Sequence, residues 1–63
     1  MNENIQKAGA NARAIGIKEI DNPYYKPRNM PAQTGETITV WQDKALAWEF
    51  GWKMEDIMRS QSI

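Results

Sequence analysis

The last third of the chain predicts one long helix with two apolar faces. No proline interrupts residues 40–59, and apolar side chains recur there at helical spacing on two opposite sides. A surface helix normally has one apolar face, so one short partner helix cannot easily cover both. The first face, named here the tryptophan arc, consists of Trp41, Ala45, Trp48 and Trp52. The second, the Phe50 arc, consists of Leu46, Phe50, Met54 and Ile57, extended by Val40, Ala47, Gly51 and Met58.

A shorter helix is predicted over residues 4–15. Asn2 or Asn4 can cap its start, because a short side-chain oxygen accepts hydrogen bonds from the unpaired N–H groups of a first turn. A glycine inside a helix costs about 1 kcal/mol relative to alanine. We therefore expect Gly9 to allow close packing against Gly51 where the helices cross. The glycine-lined helix would then cover the Phe50 arc.

The segment between the two helices contains all three prolines of the chain. Gly16 suits the residue that ends the first helix, because glycine accepts the left-handed conformation found there. Thr39 with Gln42 matches a capping box at the start of the second helix. We predict an all-α protein of one domain, residues 1–63. Its two helices, about 4–15 and 40–59, are joined by a long loop with Pro and Tyr residues and packed as an antiparallel helical hairpin.

The composition removes several kinds of active site. The chain has no cysteine and no histidine, which excludes Cys–His zinc sites and Ser–His or Cys–His nucleophile pairs. The carboxylates of Glu49, Glu55 and Asp56 fall on polar strips of the long helix instead of a shared cleft. We therefore predict no catalytic, cofactor-binding or metal-binding residues, and a protein that is not an enzyme.

The charge pattern bears on the kind of partner. Eight basic and eight acidic residues give a formal net charge of zero, which argues against binding nucleic acid mainly by phosphate neutralisation. Residues 1–31 carry five basic and three acidic side chains, and residues 32–63 carry three and five. Such a dipolar chain suits a protein surface or a second copy of itself. No run approaches the roughly 18 apolar residues of a membrane span, so we expect a cytoplasmic protein, complete as written.

Two glycines, a turn and a tryptophan pair follow one another along the chain. Residues 22–24 read Asn-Pro-Tyr, and residues 48–52 read Trp-Glu-Phe-Gly-Trp. This order resembles the ribosome modulation factor family, which includes the bacterial stationary-phase ribosome hibernation factor and small ciprofloxacin-resistance proteins. The matching positions are Gly9, Gly16, Asn22, Pro23, Tyr24, Trp48, Gly51 and Trp52.

The resemblance implies a two-helix fold in which these eight residues are structural, and a binding protein that inhibits or modulates the ribosome. The balanced charge favours a different partner, a host protein complex, as for a phage-encoded inhibitor. Some relatives have been proposed to phosphorylate a fluoroquinolone, so a small-molecule phosphotransferase is a third interpretation. The sequence leaves these alternatives open, together with self-association.

The side chains predicted to contact a partner are aromatic or basic and lie in the loop or at the start of the long helix. Basic residues beside aromatic ones can hold single-stranded RNA. Glu19 and Asp21 interrupt the basic residues here, so we expect weak or no direct nucleic-acid binding. Trp41, at the far end of the tryptophan arc, is expected to stay uncovered and to anchor a partner. The predicted contacts are Trp41, Tyr24, Tyr25, Lys26 and Arg28.

Overall fold

The computed structural model describes residues 2–61, and within that range the chain is mostly helical and has no β-strand. The all-α prediction is therefore confirmed. The molecule measures 44 × 20 × 14 Å. The helices are α1, Glu3–Ala14; α2, Pro31–Thr34; and α3, Ile38–Ser60. Between α1 and α2 lie three single 3₁₀ turns, Glu19–Asp21, Pro23–Tyr25 and Pro27–Asn29.

Both ends of α1 are capped as the sequence predicts. The Asn2 side chain accepts hydrogen bonds from two N–H groups of the first turn, at 2.9 and 3.2 Å. At the other end Gly16 takes a φ of 91°. The N–H groups of Gly16 and Ile17 then donate to the carbonyls of Arg13 and Ala12, at 3.1 and 2.9 Å. This double hydrogen bond is the Schellman motif, and it directs the chain from α1 into the loop.

The start of α3 differs from the prediction. Thr37, not Thr39, caps the helix, and its hydroxyl accepts a hydrogen bond from the N–H of Val40 at 3.2 Å. Either threonine can serve as a cap by its own chemistry. The earlier start places Ile38 within α3, where its 65% exposed side chain lines an apolar groove together with residues of α2.

Helices α1 and α3 approach most closely at two glycines. A Cβ added to Gly9 would collide with the backbone carbonyl of Trp48. A Cβ added to Gly51 would collide with the backbone carbonyl of Gln6. The predicted close crossing at Gly9 and Gly51 is therefore confirmed, and backbone packs on backbone there with no side chain between.

The antiparallel hairpin is not confirmed by the contacts between α1 and α3. In a hairpin, residues late in α1 would meet residues early in α3. Instead Arg13, near the end of α1, pairs with Asp56 in the second half of α3, with Nε and Oδ1 2.7 Å apart. The Arg13 guanidinium also lies 5.7 Å from the ring centre of Trp52. A short connection forces neighbouring helices to run antiparallel. The segment of residues 15–37 is long enough to allow α1 and α3 other relative directions.

The loop covers the tryptophan arc. The indole N–H of Trp52 donates to the carbonyl of Ile17 at 2.7 Å, and that of Trp41 donates to the carbonyl of Tyr24 at 2.6 Å. Between them, Trp48 is 3% exposed. Loop backbone carbonyls therefore satisfy the two indole donors that packing removes from water.

The Phe50 arc is left largely uncovered, contrary to the expectation that α1 would cover it. Helix α1 reaches only one edge of the arc, where Ala47 and Gly51 are buried. The fully buried apolar side chains in the described part of the chain are Ala12, Ala45, Ala47 and Trp48. The large side chains of the arc stay about half exposed: Leu46, Phe50, Met54, Ile57 and Met58.

Candidate interaction surface

Three prolines spaced four residues apart shape the loop. Pro23 and Pro27 each begin a 3₁₀ turn, and Pro31 begins α2. Proline suits the first position of a helical turn because its φ is fixed and its missing N–H would be unpaired there. The Asn29 side chain donates to the carbonyl of Pro23 at 2.8 Å. The loop is thus a series of linked turns that lies along the first half of α3.

Trp41 packs against the middle of this loop and is hydrogen-bonded to it. Besides the hydrogen bond to the Tyr24 carbonyl, its ring meets the ring of Tyr25 edge to face, with centres 5.7 Å apart and planes at 73°. Trp41 is half-buried, whereas Tyr25 is 48% exposed. The expectation that Trp41 stays uncovered was wrong in part. Its own loop covers one side, because the loop offers both a carbonyl acceptor and an aromatic edge.

The other side of Trp41 lines an open groove, named here the Trp41 groove. The groove has a volume of about 430 Å³. Its walls are Trp41 and Ile38 from α3, and Pro27, Met30 and Pro31 from the loop and α2. None of the lining residues is charged, so the groove suits an apolar side chain. Sequence reasoning missed Ile38, Met30 and Pro31, since no local pattern brings together residues from two separate elements.

Two basic residues without ion pairs are next in sequence to a residue of the groove wall. Arg13, Lys44, Lys53 and Arg59 each pair with a carboxylate. Within residues 2–61 no ion pair involves the remaining cations, which all lie in the first half of the chain: Lys7, Lys18, Lys26 and Arg28. Two of them, Lys26 and Arg28, are exposed on either side of Pro27 in the wall of the Trp41 groove. Three acidic side chains in the same range, Glu3, Asp21 and Asp43, make no ion pair either, so unpaired cations exceed unpaired acids by one.

The residues that match the ribosome modulation factor pattern lie elsewhere. The structure places them in the packing of α1, the loop and α3: two glycines at the crossing, one at the end of α1, and Trp48 and Trp52 under the loop. Tyr24 joins the two sets, since its backbone carbonyl binds the indole of Trp41. The predicted partner-binding residues and the motif residues are therefore distinct apart from Tyr24 and its neighbours Asn22 and Pro23. The carbonyls of Asn22 and Pro23 accept hydrogen bonds from the N–H groups of Tyr25 and Lys26, both at 3.1 Å.

Ion pairs secure the loop to α3 at both ends. The Lys44 ammonium binds Glu36, which lowers the pKa of that carboxyl, and the same bond raises the pKa of Lys44. Lys53 lies 2.9 Å from Glu49 and 3.5 Å from Glu19 of the first 3₁₀ turn. Glu49 first, and then Glu19, raise the pKa of Lys53. These pairs fix the residues that precede and follow the groove.

Other kinds of site were sought in the same range. Across residues 2–61, no three acidic side chains are grouped so that they could hold a metal ion. No helix of the described segment is both long and apolar enough to cross a membrane. Comparison with models of protein families, with characterised proteins and with solved structures finds no match to this chain.

Proposed function

We propose that this protein is a small non-enzymatic binding protein that docks on the ribosome, or on another large cytoplasmic assembly, and inhibits or modulates it. One observation carries the proposal: an open apolar groove lies beside Trp41, and its wall residue Pro27 stands between two exposed cations that form no ion pair within residues 2–61. Anchoring residues at protein interfaces are commonly aromatic and sit in apolar pockets with polar surroundings. The surface therefore fits an apolar side chain flanked by acidic groups.

The scaffold supports binding because the groove is already formed. Indole hydrogen bonds, linked proline turns and ion pairs fix the loop on α3. A partner would not have to order the loop, and ordering of side chains and loops is a main cost of association. Rigid attachment also explains how so short a chain can present a defined surface.

The resemblance supports the ribosome as the partner. The balanced charge of the chain supports contact with a ribosomal protein, not with rRNA. Lys18, Lys26 and Arg28 can neutralise about three phosphates, which gives a slope of log affinity on log salt of only about −2 to −3. Proteins held mainly by phosphate contacts have much steeper slopes. We therefore expect affinity to fall weakly with added salt. A slope matching six or more phosphates would point to rRNA instead.

The balanced charge also supports a second candidate, an inhibitor of a host protein complex. The same groove would serve it, and the two candidates differ in what is recovered from cells. Tagged full-length chain is used to capture partners from a lysate of the native cell, with and without RNase. Ribosomal proteins that survive RNase treatment support ribosome docking. A single non-ribosomal complex supports the inhibitor, and recovery that depends on intact RNA contradicts a protein contact.

Matched variants tie the result to the groove. Ile38→Glu places a charge in the groove wall, and Ile20→Glu places the same charge on a side chain that is 82% exposed outside it. We expect Ile38→Glu to abolish capture and Ile20→Glu to retain it. Equal capture by both variants would remove the Trp41 groove as the docking site.

A further inference from the structure

The face of α3 opposite Trp41 carries an exposed apolar ridge that the proposed docking site does not use. It is named here the Phe50 ridge, and its side chains are 46–65% exposed. Their spacing of three or four residues aligns them along one side of the helix. The ridge consists of Leu46, Phe50, Met54, Ile57 and Met58.

The chain alone provides little apolar core. Three alanines and Trp48 are its fully buried apolar residues within 2–61. Chains of this size rarely gain more than about 3–5 kcal/mol from a single core and usually rely on disulfides, metals, exceptional helix packing or association. There is no cysteine in the sequence. A partner on the ridge would supply the apolar burial that the monomer lacks.

The order of residues along the ridge is nearly symmetric about Trp52. Leu46 and Met58 stand six positions before and after it, and Phe50 and Met54 stand two before and after. An antiparallel copy of α3, related by a two-fold axis at this level, therefore sets Phe50 against Met54 at the centre of the contact. Leu46 and Met58 come to the same level along the helices, on the two edges of the contact, because twelve residues turn the helix by about 120°. The position that would pair with Ile57 is Ala47, which α1 already buries, so Ile57 extends the ridge on one side only. A two-fold interface requires one surface to complement itself, and this ridge does.

Area and charge agree with a second copy. A half-exposed large side chain leaves roughly 100 Å² in water, so the ridge offers roughly 500 Å². The adjoining groove between α1 and α3, about 390 Å³, extends it toward the roughly 800 Å² per partner of a standard interface. This groove is bordered by Glu3, Lys7 and Glu55, and Glu55 is paired with Arg59 at 2.7 Å, which leaves one acid and one base. Equal and opposite charges on one border suit a contact between identical surfaces.

We propose that a second copy of this chain covers the Phe50 ridge in an antiparallel, two-fold symmetric dimer. Both Trp41 grooves stay open, because Trp41 lies on the opposite side of α3 by the helical period. The dimer presents two grooves at opposite ends, so a partner with two sites would gain from double attachment.

The first test measures the mass of the full chain in solution by sedimentation equilibrium. We expect twice the 7.3 kDa of one chain. Phe50→Glu is expected to weaken association at least a hundredfold while the helical circular-dichroism signal is kept. Ile38→Glu, which alters the Trp41 groove, should stay dimeric. A native chain that remains monomeric at submillimolar concentration, or one that aggregates without a fixed stoichiometry, would overturn the proposal.

The second test fixes the register and does not depend on the Phe50 variant folding. A bifunctional thiol reagent that spans about 10 Å, one helix diameter, should link the double variant Leu46→Cys with Met58→Cys into a covalent dimer. Leu46→Cys alone should not, because an antiparallel arrangement separates the two copies of position 46. Crosslinking by the single variant would indicate a parallel pair, and no crosslinking by the double variant would also contradict the arrangement. Neither test measures binding of a partner at the Trp41 groove, so a failure of the dimer is distinct from a failure of the proposed docking.

Discussion

The buried side chain of Asn22 donates its amide to the backbone carbonyl of Ala45, 3.1 Å away in the first half of α3. The same side chain accepts a hydrogen bond from the N–H of Tyr24 at 3.0 Å. Asn22 is 1% exposed and is the most buried polar residue of the described chain. A single side chain therefore attaches the loop to the tryptophan arc and starts the 3₁₀ turn that carries the two tyrosines.

Asn22→Ala is expected to lower the free energy of unfolding by about 1–3 kcal/mol, because it leaves buried backbone groups without partners. Asn22→Asp should cost at least as much, since a carboxylate cannot donate to the Ala45 carbonyl and would be buried as a charge. Urea unfolding followed by tryptophan fluorescence measures both. Asn11→Ala, on the exposed side of α1, is the control and should change little. Equal stability of the Asn22 and Asn11 variants would contradict this role.

The helix crossing predicts that Gly9→Ala and Gly51→Ala are both destabilising. Alanine favours a helix over glycine by about 1 kcal/mol, but each new Cβ would meet a backbone carbonyl of the other helix. Overpacking of this kind typically costs about 1–3 kcal/mol. Thermal unfolding should show a lower midpoint for both variants, and a lower one still for Gly51→Leu. Ala8→Leu, at an exposed position of α1, should leave the midpoint nearly unchanged. A raised midpoint in either alanine variant would be incompatible with close backbone packing.

The two aromatic residues beside the groove should respond differently to truncation. Tyr25→Ala removes a half-exposed ring and should weaken partner binding with little loss of stability. Trp41→Ala removes a groove wall as well as the donor to the Tyr24 carbonyl. It should weaken binding by about 2 kcal/mol or more and also lower the midpoint of thermal unfolding. Calorimetric titration against the captured partner gives the affinities. Unchanged affinity in both variants would show that this surface is not the contact.

The ion pair between Glu36 and Lys44 predicts a stability difference that depends on pH. The pKa of Glu36 is lowered, so its contribution is present above the ordinary carboxyl value of 4.5 and is lost as pH falls through the lower folded value. The pKa of Lys44 is raised, so its contribution is present below 10.5 and is lost as pH rises through the higher folded value.

Native chain and Glu36→Gln are therefore compared by thermal unfolding across this range. We expect the native chain to be the more stable near neutral pH, and the difference to disappear in acid and again in strong alkali. The pair is accessible to solvent, so the difference should also shrink with added salt. A difference that persists unchanged in acid would mean that the pair is not its source.

Local signals determined much of this fold. The positions of both long helices, the Asn2 cap and the glycine that ends α1 follow from short-range chemistry, because each depends on residues within one or two turns of chain. The close crossing at Gly9 and Gly51 was also predictable. A glycine inside a helix lowers helix stability, and close approach of a second helix compensates for that cost. Thr37 and Thr39 show the limit of such signals. Both can cap a helix by their own chemistry, and the local sequence does not choose between them.

Which of the two apolar faces of α3 is covered was decided only by the tertiary structure. Both faces are similarly apolar in sequence, and hydrophobic burial has no direction of its own. The difference lies in polar groups: Trp41 and Trp52 carry N–H donors that need acceptors when removed from water, and the loop carbonyls of Tyr24 and Ile17 provide them. The side chains of the Phe50 face carry no such donors, so burying them would not require acceptors from the loop. Helical periodicity identifies both faces, but only long-range hydrogen bonds between loop and helix select one of them.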